Sequence, residues 1–140
     1  MLIGNKRVRR SPSVAGAPIG DQLVVPNTSM KLPGAEGAVI PAEKLRDYLL
    51  SFEHGLGRAK AAFFAVLGYE AAQWQLLERD LREQHLVADA HLRRQTRWGD
   101  EYEIIAELRG PNGRSTLVVS GWYVRKDENF PRFVTAYPQE

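Results

Sequence analysis

Glu101-Tyr102-Glu103-Ile104-Ile105-Ala106-Glu107-Leu108-Arg109, running into Gly110-Pro111-Asn112-Gly113-Arg114, is the stretch that decides the fold. Tyr102, Ile104, Ala106 and Leu108 alternate with Glu101, Glu103, Ile105, Glu107 and Arg109, the period of two expected of a half-buried strand. Gly110 to Gly113 reads as a hairpin turn that returns the chain into a strand over Arg114 to Val124. Upstream, Leu92 to Trp98 reads as a strand turning at Gly99-Asp100. Downstream, a charged and polar connection leads to a fourth strand, Arg132 to Tyr137. On that last strand, alternation puts Arg132, Val134 and Ala136 on one face and Phe133, Thr135 and Tyr137 on the other.

Before residue 90 the period is helical. Pro41 suits a first helical position and opens a helix to about Ser51, with Leu45, Tyr48, Leu49 and Phe52 on one face. His54-Gly55-Leu56-Gly57 breaks it. A second helix, Arg58 to Leu67, carries Phe63, Phe64, Val66 and Leu67 and ends at Gly68, a residue suited to a left-handed cap. A third, about Glu70 to Gln84, has the stripe Ala71, Trp74, Leu77 and Leu81, with Arg79, Asp80, Arg82 and Glu83 on its wet side. The expected class is α+β: three N-terminal helices packed on one face of a four-stranded antiparallel sheet, preceded by an extended N-terminal leader.

The chain has 140 residues, 44% of them hydrophobic and 26% charged, which fits one domain at roughly 150 residues per domain. Residues 1–37 read as a flexible basic leader rich in proline and glycine, and residues 38–140 as a single domain. Within the leader only Leu23-Val24-Val25 suits a short edge strand, stopped by Pro26. Met30 opens Met-Lys-Leu-Pro-Gly just before the globular pattern and is a candidate start. Lys6, Arg7, Arg9 and Arg10 outweigh the formal net charge of +2, so the basic balance belongs to the leader. Bulk charge therefore gives no nucleic-acid argument for the domain itself.

The absence of cysteine excludes disulfides, thiolate metal sites and a cysteine nucleophile. No apolar run approaches the roughly 20 residues needed to cross a bilayer, and no secretory signal is visible. His85 and His91 have no third ligand nearby, so no metal and no cofactor are expected. Phosphate-loop, dinucleotide and Gly-x-Ser-x-Gly signatures are absent. Trp74 and Trp122 read as core residues.

Ala38-Val39-Ile40-Pro41-Ala42-Glu43-Lys44-Leu45-Arg46-Asp47-Tyr48-Leu49-Leu50-Ser51, with His54, Gly57, Lys60-Ala61, Phe63-Phe64, Leu67-Gly68-Tyr69 and Trp74, resembles a bacterial family catalogued as a domain of unknown function. Gly110-Pro111-Asn112-Gly113-Arg114, Trp122-Tyr123-Val124 and Pro131-Arg132-Phe133-Val134-Thr135-Ala136-Tyr137-Pro138 extend the resemblance to about Met30 to Pro138. The helix-then-sheet order and the His-x-x-Gly-x-x-Lys segment are also similar to the barnase, EndoU, colicin and RelE class of small ribonuclease toxins. That second resemblance implies RNA as substrate, a cognate inhibitor (antitoxin or immunity) protein as partner, and a cytoplasmic or toxin-exported setting. Fold alone does not establish activity.

Metal-independent RNA cleavage needs a base, an acid and positive charge near the phosphate. His54, with an ordinary pKa of roughly 6.5, is the titrating candidate. Gly57 allows close backbone approach, and Arg58 and Lys60 add charge at the start of the second helix. Two residues apart on a regular helix, Arg58 and Lys60 lie about 200° around its axis and do not share a face. Thr135 and Tyr137 supply hydroxyls, and Arg132 suits bidentate phosphate contact. Arg97 with Trp98 forms a basic aromatic edge; alternation places Arg93 and Arg97 on one strand face and Arg94 opposite. The expected catalytic set is thus His54, Lys60, Thr135 and Tyr137, with Gly57, Arg58, Arg132 and Arg97 binding substrate.

The same residues fit plainer roles: an interhelical turn at Gly55 and Gly57, a helix cap at His54, a solvated Lys60 and a charged edge strand that resists aggregation. The alternative function is a non-catalytic interaction domain of a toxin–antitoxin-like or phage-associated pair, using the sheet face as its contact surface.

Overall fold

Alternation in the quoted stretch buries Tyr102, Ile104 and Leu108, and a computed structural model shows the strand they form running Gly99–Arg109 in a five-stranded antiparallel sheet. The structure describes residues 30–53 and 58–139. The strands, in both chain and sheet order, are β1 (Met30–Lys31), β2 (Asp89–Gln95), β3 (Gly99–Arg109), β4 (Ser115–Arg125) and β5 (Pro131–Pro138). The expected count of four is corrected by β1, whose Met30 and Lys31 pair with Ala90 and Asp89. Two residues carry too little periodicity to read as a strand. Leu32 beside them is 2% exposed and joins the core, although it falls in the stretch read as leader. The expected Leu23–Val25 strand lies outside the described residues.

The helices are α1 (Lys44–Leu49), α2 (Arg58–Val66) and α3 (Trp74–Asp80), the last extended by a wide turn over Leu81–His85. Two of these segments depart from the regular helices expected. In α1 and after α3 the hydrogen bonds run i→i+5, as in Leu50 N–H to the Leu45 carbonyl and Leu86 N–H to the Leu81 carbonyl, both 2.9 Å. The wider turn lets residues four and five apart share a face. Leu45, Leu49 and Leu50 are buried in the first case, and Leu81, His85 and Leu86 in the second. Phe52, expected on the apolar face of the first helix, is exposed instead.

Helix α2 ends as its sequence directs. Gly68 has φ 100°, in the positive region open to glycine. Its N–H donates to the Ala65 carbonyl and the Tyr69 N–H to the Phe64 carbonyl, which satisfies the last helical acceptors. The Gly110–Gly113 turn docks there: Asn112 Nδ2 donates to the Val66 carbonyl at 2.8 Å. Gly110 is so close that an added Cβ would stand 2.0 Å from the Leu67 carbonyl oxygen.

Helical Phe64, Leu77 and Leu81 and strand residues Ile104, Leu108, Val118, Trp122, Phe133 and Ala136 make one core between helices and sheet. Polar groups inside it are paired. Trp122 Nε1–H donates to Ser120 Oγ at 2.8 Å, Ser120 Oγ lies 2.7 Å from His85 Nδ1, and His85 Nε2 lies 3.1 Å from the Ala106 carbonyl. The carbonyl can only accept, so Nε2 carries the proton and Nδ1 accepts from the Ser120 hydroxyl. Burial lowers the imidazole pKa to about 4, so it is neutral at pH 7. Asp80, read as part of the wet side of the third helix, is 3% exposed. It accepts from Tyr69 Oη at 2.6 Å and Arg79 Nε at 3.0 Å, and that pairing is what lets a carboxylate face inward.

Candidate functional site

Two irregularities in strand pairing shape the sheet face turned away from the helices. In β5 the register passes from Gly121↔Thr135 to Trp122↔Phe133, leaving Val134 as an extra residue. Such a bulge reverses alternation beyond it. The expected division of faces is therefore corrected: Phe133 and Ala136 are both buried in the core, and Arg132, opposite Tyr123, lies on the same open face as Thr135 and Tyr137. In β2 the register passes from Leu92↔Tyr102 to Arg94↔Glu101, and Arg93 is the extra residue. Arg93 and Arg94 thus both reach carboxylates of β3 on the open face, Arg93 to Glu103 and Arg94 to Glu101, each at 3.0 Å. The expected opposition of the two arginines does not survive the bulge. Arg97 shares no strand face with Arg93, because the chain turns at Arg97-Trp98 and not at Gly99-Asp100.

Lys60, half-buried on α2, reaches β5 and donates from Nζ to Thr135 Oγ1 at 2.9 Å. The same ammonium stands 5.6 Å from the Tyr48 ring centroid and 5.9 Å from that of Tyr137, within cation–π range of both. Lys60 has no carboxylate ion-pair partner among the described residues. Beyond Tyr137, its hydroxyl lies 3.5 Å from Glu103 Oε2, a long contact, and Arg93 holds the other oxygen of that carboxylate. Burial, and then the Glu103 charge, raise the Tyr137 pKa, so the phenol keeps its proton at neutral pH and serves as a donor. Of these groups Thr135, Tyr137, Glu103 and Arg93 line an open groove of about 520 Å³, with Arg94, Glu101 and Gly121 among the other lining residues, and Lys60 touches it through Thr135. It holds two arginines paired with two carboxylates, Glu103 and Glu101, beside hydroxyls within one concavity, the ingredients of phosphate binding and proton transfer.

Of the residues singled out from sequence, Lys60, Thr135 and Tyr137 come together here. His54 and Gly57 lie outside the described residues. Arg58 is exposed at the start of α2. Arg132 is held in a bidentate pair with Glu128, at 3.0 and 2.8 Å, and its guanidinium keeps that carboxylate below the usual range. Arg97 stacks on Trp98 at the β2–β3 turn, with its guanidinium carbon 4.6 Å from the ring centroid. Glu103 and Tyr48 were missed as site residues. Glu103 carried one usable signal, a row of glutamates on one face of a strand, but its arginine partner depends on a bulge.

Among the described residues there is no cluster of three metal-ligating side chains, and no helix is long and apolar enough to cross a membrane. The molecule so defined is an α+β domain whose helices cover one face of an antiparallel meander and leave a polar groove on the other. Over residues 31–140 the chain matches the family described as "Domain of unknown function (DUF6883)", and it belongs to that family. No curated protein and no solved structure matches it.

Proposed function

We propose that this domain is a metal-independent endoribonuclease that cleaves RNA by attack of the ribose 2′-hydroxyl on the adjacent phosphorus. The observation that carries this reading is the meeting of Lys60 from α2 with Thr135 and Tyr137 from β5, two residues that line one groove with the Arg93–Glu103 pair. In the reaction the 2′-oxygen bonds to phosphorus, the bond to the 5′-oxygen breaks, and a 2′,3′-cyclic phosphate remains. Glu103 takes the 2′-proton. Lys60 and Arg93 offset charge on the phosphoryl oxygens, and the Thr135 and Tyr137 hydroxyls orient them. His54, six residues before Lys60 in the chain, is assigned to protonate the leaving 5′-oxygen. Such a domain meets its substrate in the cytoplasm, whether made there or delivered there, and its inhibitor protein would cover the groove.

The test is incubation of the purified full chain with total RNA in EDTA. Wild type is compared with His54→Ala, Lys60→Ala, Glu103→Gln and Tyr137→Phe, each checked for folding by circular dichroism. The expected result is cleavage to cyclic-phosphate ends by wild type, with losses of about 100-fold or more for Glu103→Gln and Lys60→Ala, the scale of a positioned proton-transfer group and of a charge-stabilising group respectively. Absence of cleavage by wild type at high protein concentration refutes the reading. It favours the second one, a non-catalytic interaction domain of a toxin–antitoxin-like or phage-associated pair. That reading draws on Ile105 and Leu117, 40% and 44% exposed on strands beside the groove.

A further inference from the structure

We infer that the Arg97-Trp98 turn is a stacking subsite for a nucleobase of single-stranded RNA that leaves the groove over Tyr123; the inference rests on the ribonuclease reading and names the form of its substrate. Trp98 is 67% exposed, whereas Trp122 is 1% exposed. So large an aromatic surface left in water is an unusual loss of burial for a residue of this size.

The exposure is not that of a loose loop end. Thr96 Oγ1 accepts from the Trp98 and Gly99 N–H groups, both at 3.1 Å, and Thr96 N–H donates to the Gly99 carbonyl at 2.9 Å. Lys126 N–H donates to the Trp98 carbonyl at 2.9 Å and ties the turn to the end of β4. The backbone under the indole is thereby fixed from two sides. Arg97 lies over the ring and has no ion pair among the described residues, so its charge is available to a ligand.

A second concavity of about 500 Å³ adjoins this turn, lined by Arg97, Trp98, Tyr123, Arg125, Lys126 and Asp127. Three cations and two aromatic rings meet one aspartate there. Arg125 and Lys126 pair loosely, at 3.5 Å each, with Glu128 and Asp100. Tyr123 lines both this concavity and the groove, so the two adjoin at that residue on the open face. From Gly121, beside Thr135, to Arg125 is about 13 Å at roughly 3.3 Å per strand residue. Gly121 faces Thr135, the partner of Lys60, and Arg125 lines the concavity with Trp98, so with the scissile phosphate at Thr135 it is a neighbouring base, not the reacting nucleotides, that meets Trp98. Aromatic faces with interleaved cations suit unpaired bases and phosphates.

The experiment uses the full chain and a fluorescein-labelled 2′-O-methyl hexauridylate, which lacks the attacking hydroxyl, with 2′-O-methyl uridylyl-uridine as a competitor too short to reach Trp98. Anisotropy is measured for wild type, Trp98→Ala and Trp98→Phe. Trp98→Ala is expected to weaken the hexamer about 5- to 140-fold, the equivalent of about 1–3 kcal/mol for one stacked base, with the dimer unchanged and Trp98→Phe restoring most of the affinity. Equal hexamer binding by wild type and Trp98→Ala overturns the inference and leaves the turn to a protein partner. Equal losses for dimer and hexamer, or no hexamer binding by wild type, overturn it as well. Trp98-dependent binding without cleavage of natural RNA keeps the subsite and removes the ribonuclease reading.

Discussion

Acidification from about pH 7.5 to pH 5 should withdraw stability through His85. The imidazole is fully buried and hydrogen-bonded in its neutral form, and its pKa falls from an ordinary 6.5 to about 4. The unfolded chain therefore binds a proton that the folded chain refuses between those values. Stability from this group is complete above pH 6.5 and declines as the pH falls toward 4. With the two pKa values, the loss at about pH 5 is roughly 2 kcal/mol, a sizeable part of the 5–15 kcal/mol typical of a domain. Carboxylates with lowered pKa, such as Asp47 and Glu128, lose their contributions only at lower pH, so the window is clean of them. Urea unfolding of wild type and His85→Leu at about pH 7.5, 6 and 5 reads the effect. The variant is less stable throughout, because the Ala106 carbonyl and the Ser120 hydroxyl lose a partner. Its stability should nevertheless fall less steeply with acid, by roughly 2 kcal/mol over the range. Parallel slopes refute the reasoning. If the variant does not fold, the His85 ring protons of wild type give the answer by NMR: titration near 6.5 refutes it, and titration below 5 supports it.

Two further substitutions test the packing around the sheet. Gly110→Ala would drive a Cβ to 2.0 Å from the Leu67 carbonyl, whereas at Gly37 an added Cβ would meet only the Phe130 Cβ at 3.6 Å. Thermal unfolding should show a loss of about 1–3 kcal/mol for Gly110→Ala and little change for Gly37→Ala; equal effects refute the close approach. Tyr69→Phe removes the 2.6 Å donor to buried Asp80, and a loss of about 1–3 kcal/mol in urea unfolding is expected, against no change if that bond contributes nothing.

Local pattern determined much of this molecule. Alternation in residues 101–109 decided strand β3, the Gly110–Gly113 turn decided its hairpin, and Gly68 decided where α2 ends, because each rests on contacts or torsions a few residues apart. The pairing of β1 with β2, the inward turn of Asp80 and the wide turn that carries His85 to Ser120 came only from tertiary structure. Their partners are distant in sequence, and helical or strand periodicity holds no information about them. The candidate site divides in the same way. Lys60, Thr135 and Tyr137 were legible as residue types able to serve phosphate chemistry, but Glu103 and Arg93 were not legible as their neighbours. An extra residue at Val134 and another at Arg93 shift the parity of two strands, and one residue of register moves a side chain from core to groove. Sequence fixes which groups are available through their chemistry, whereas the sheet's register decides which of them meet, since that depends on how far-apart strands twist and pair.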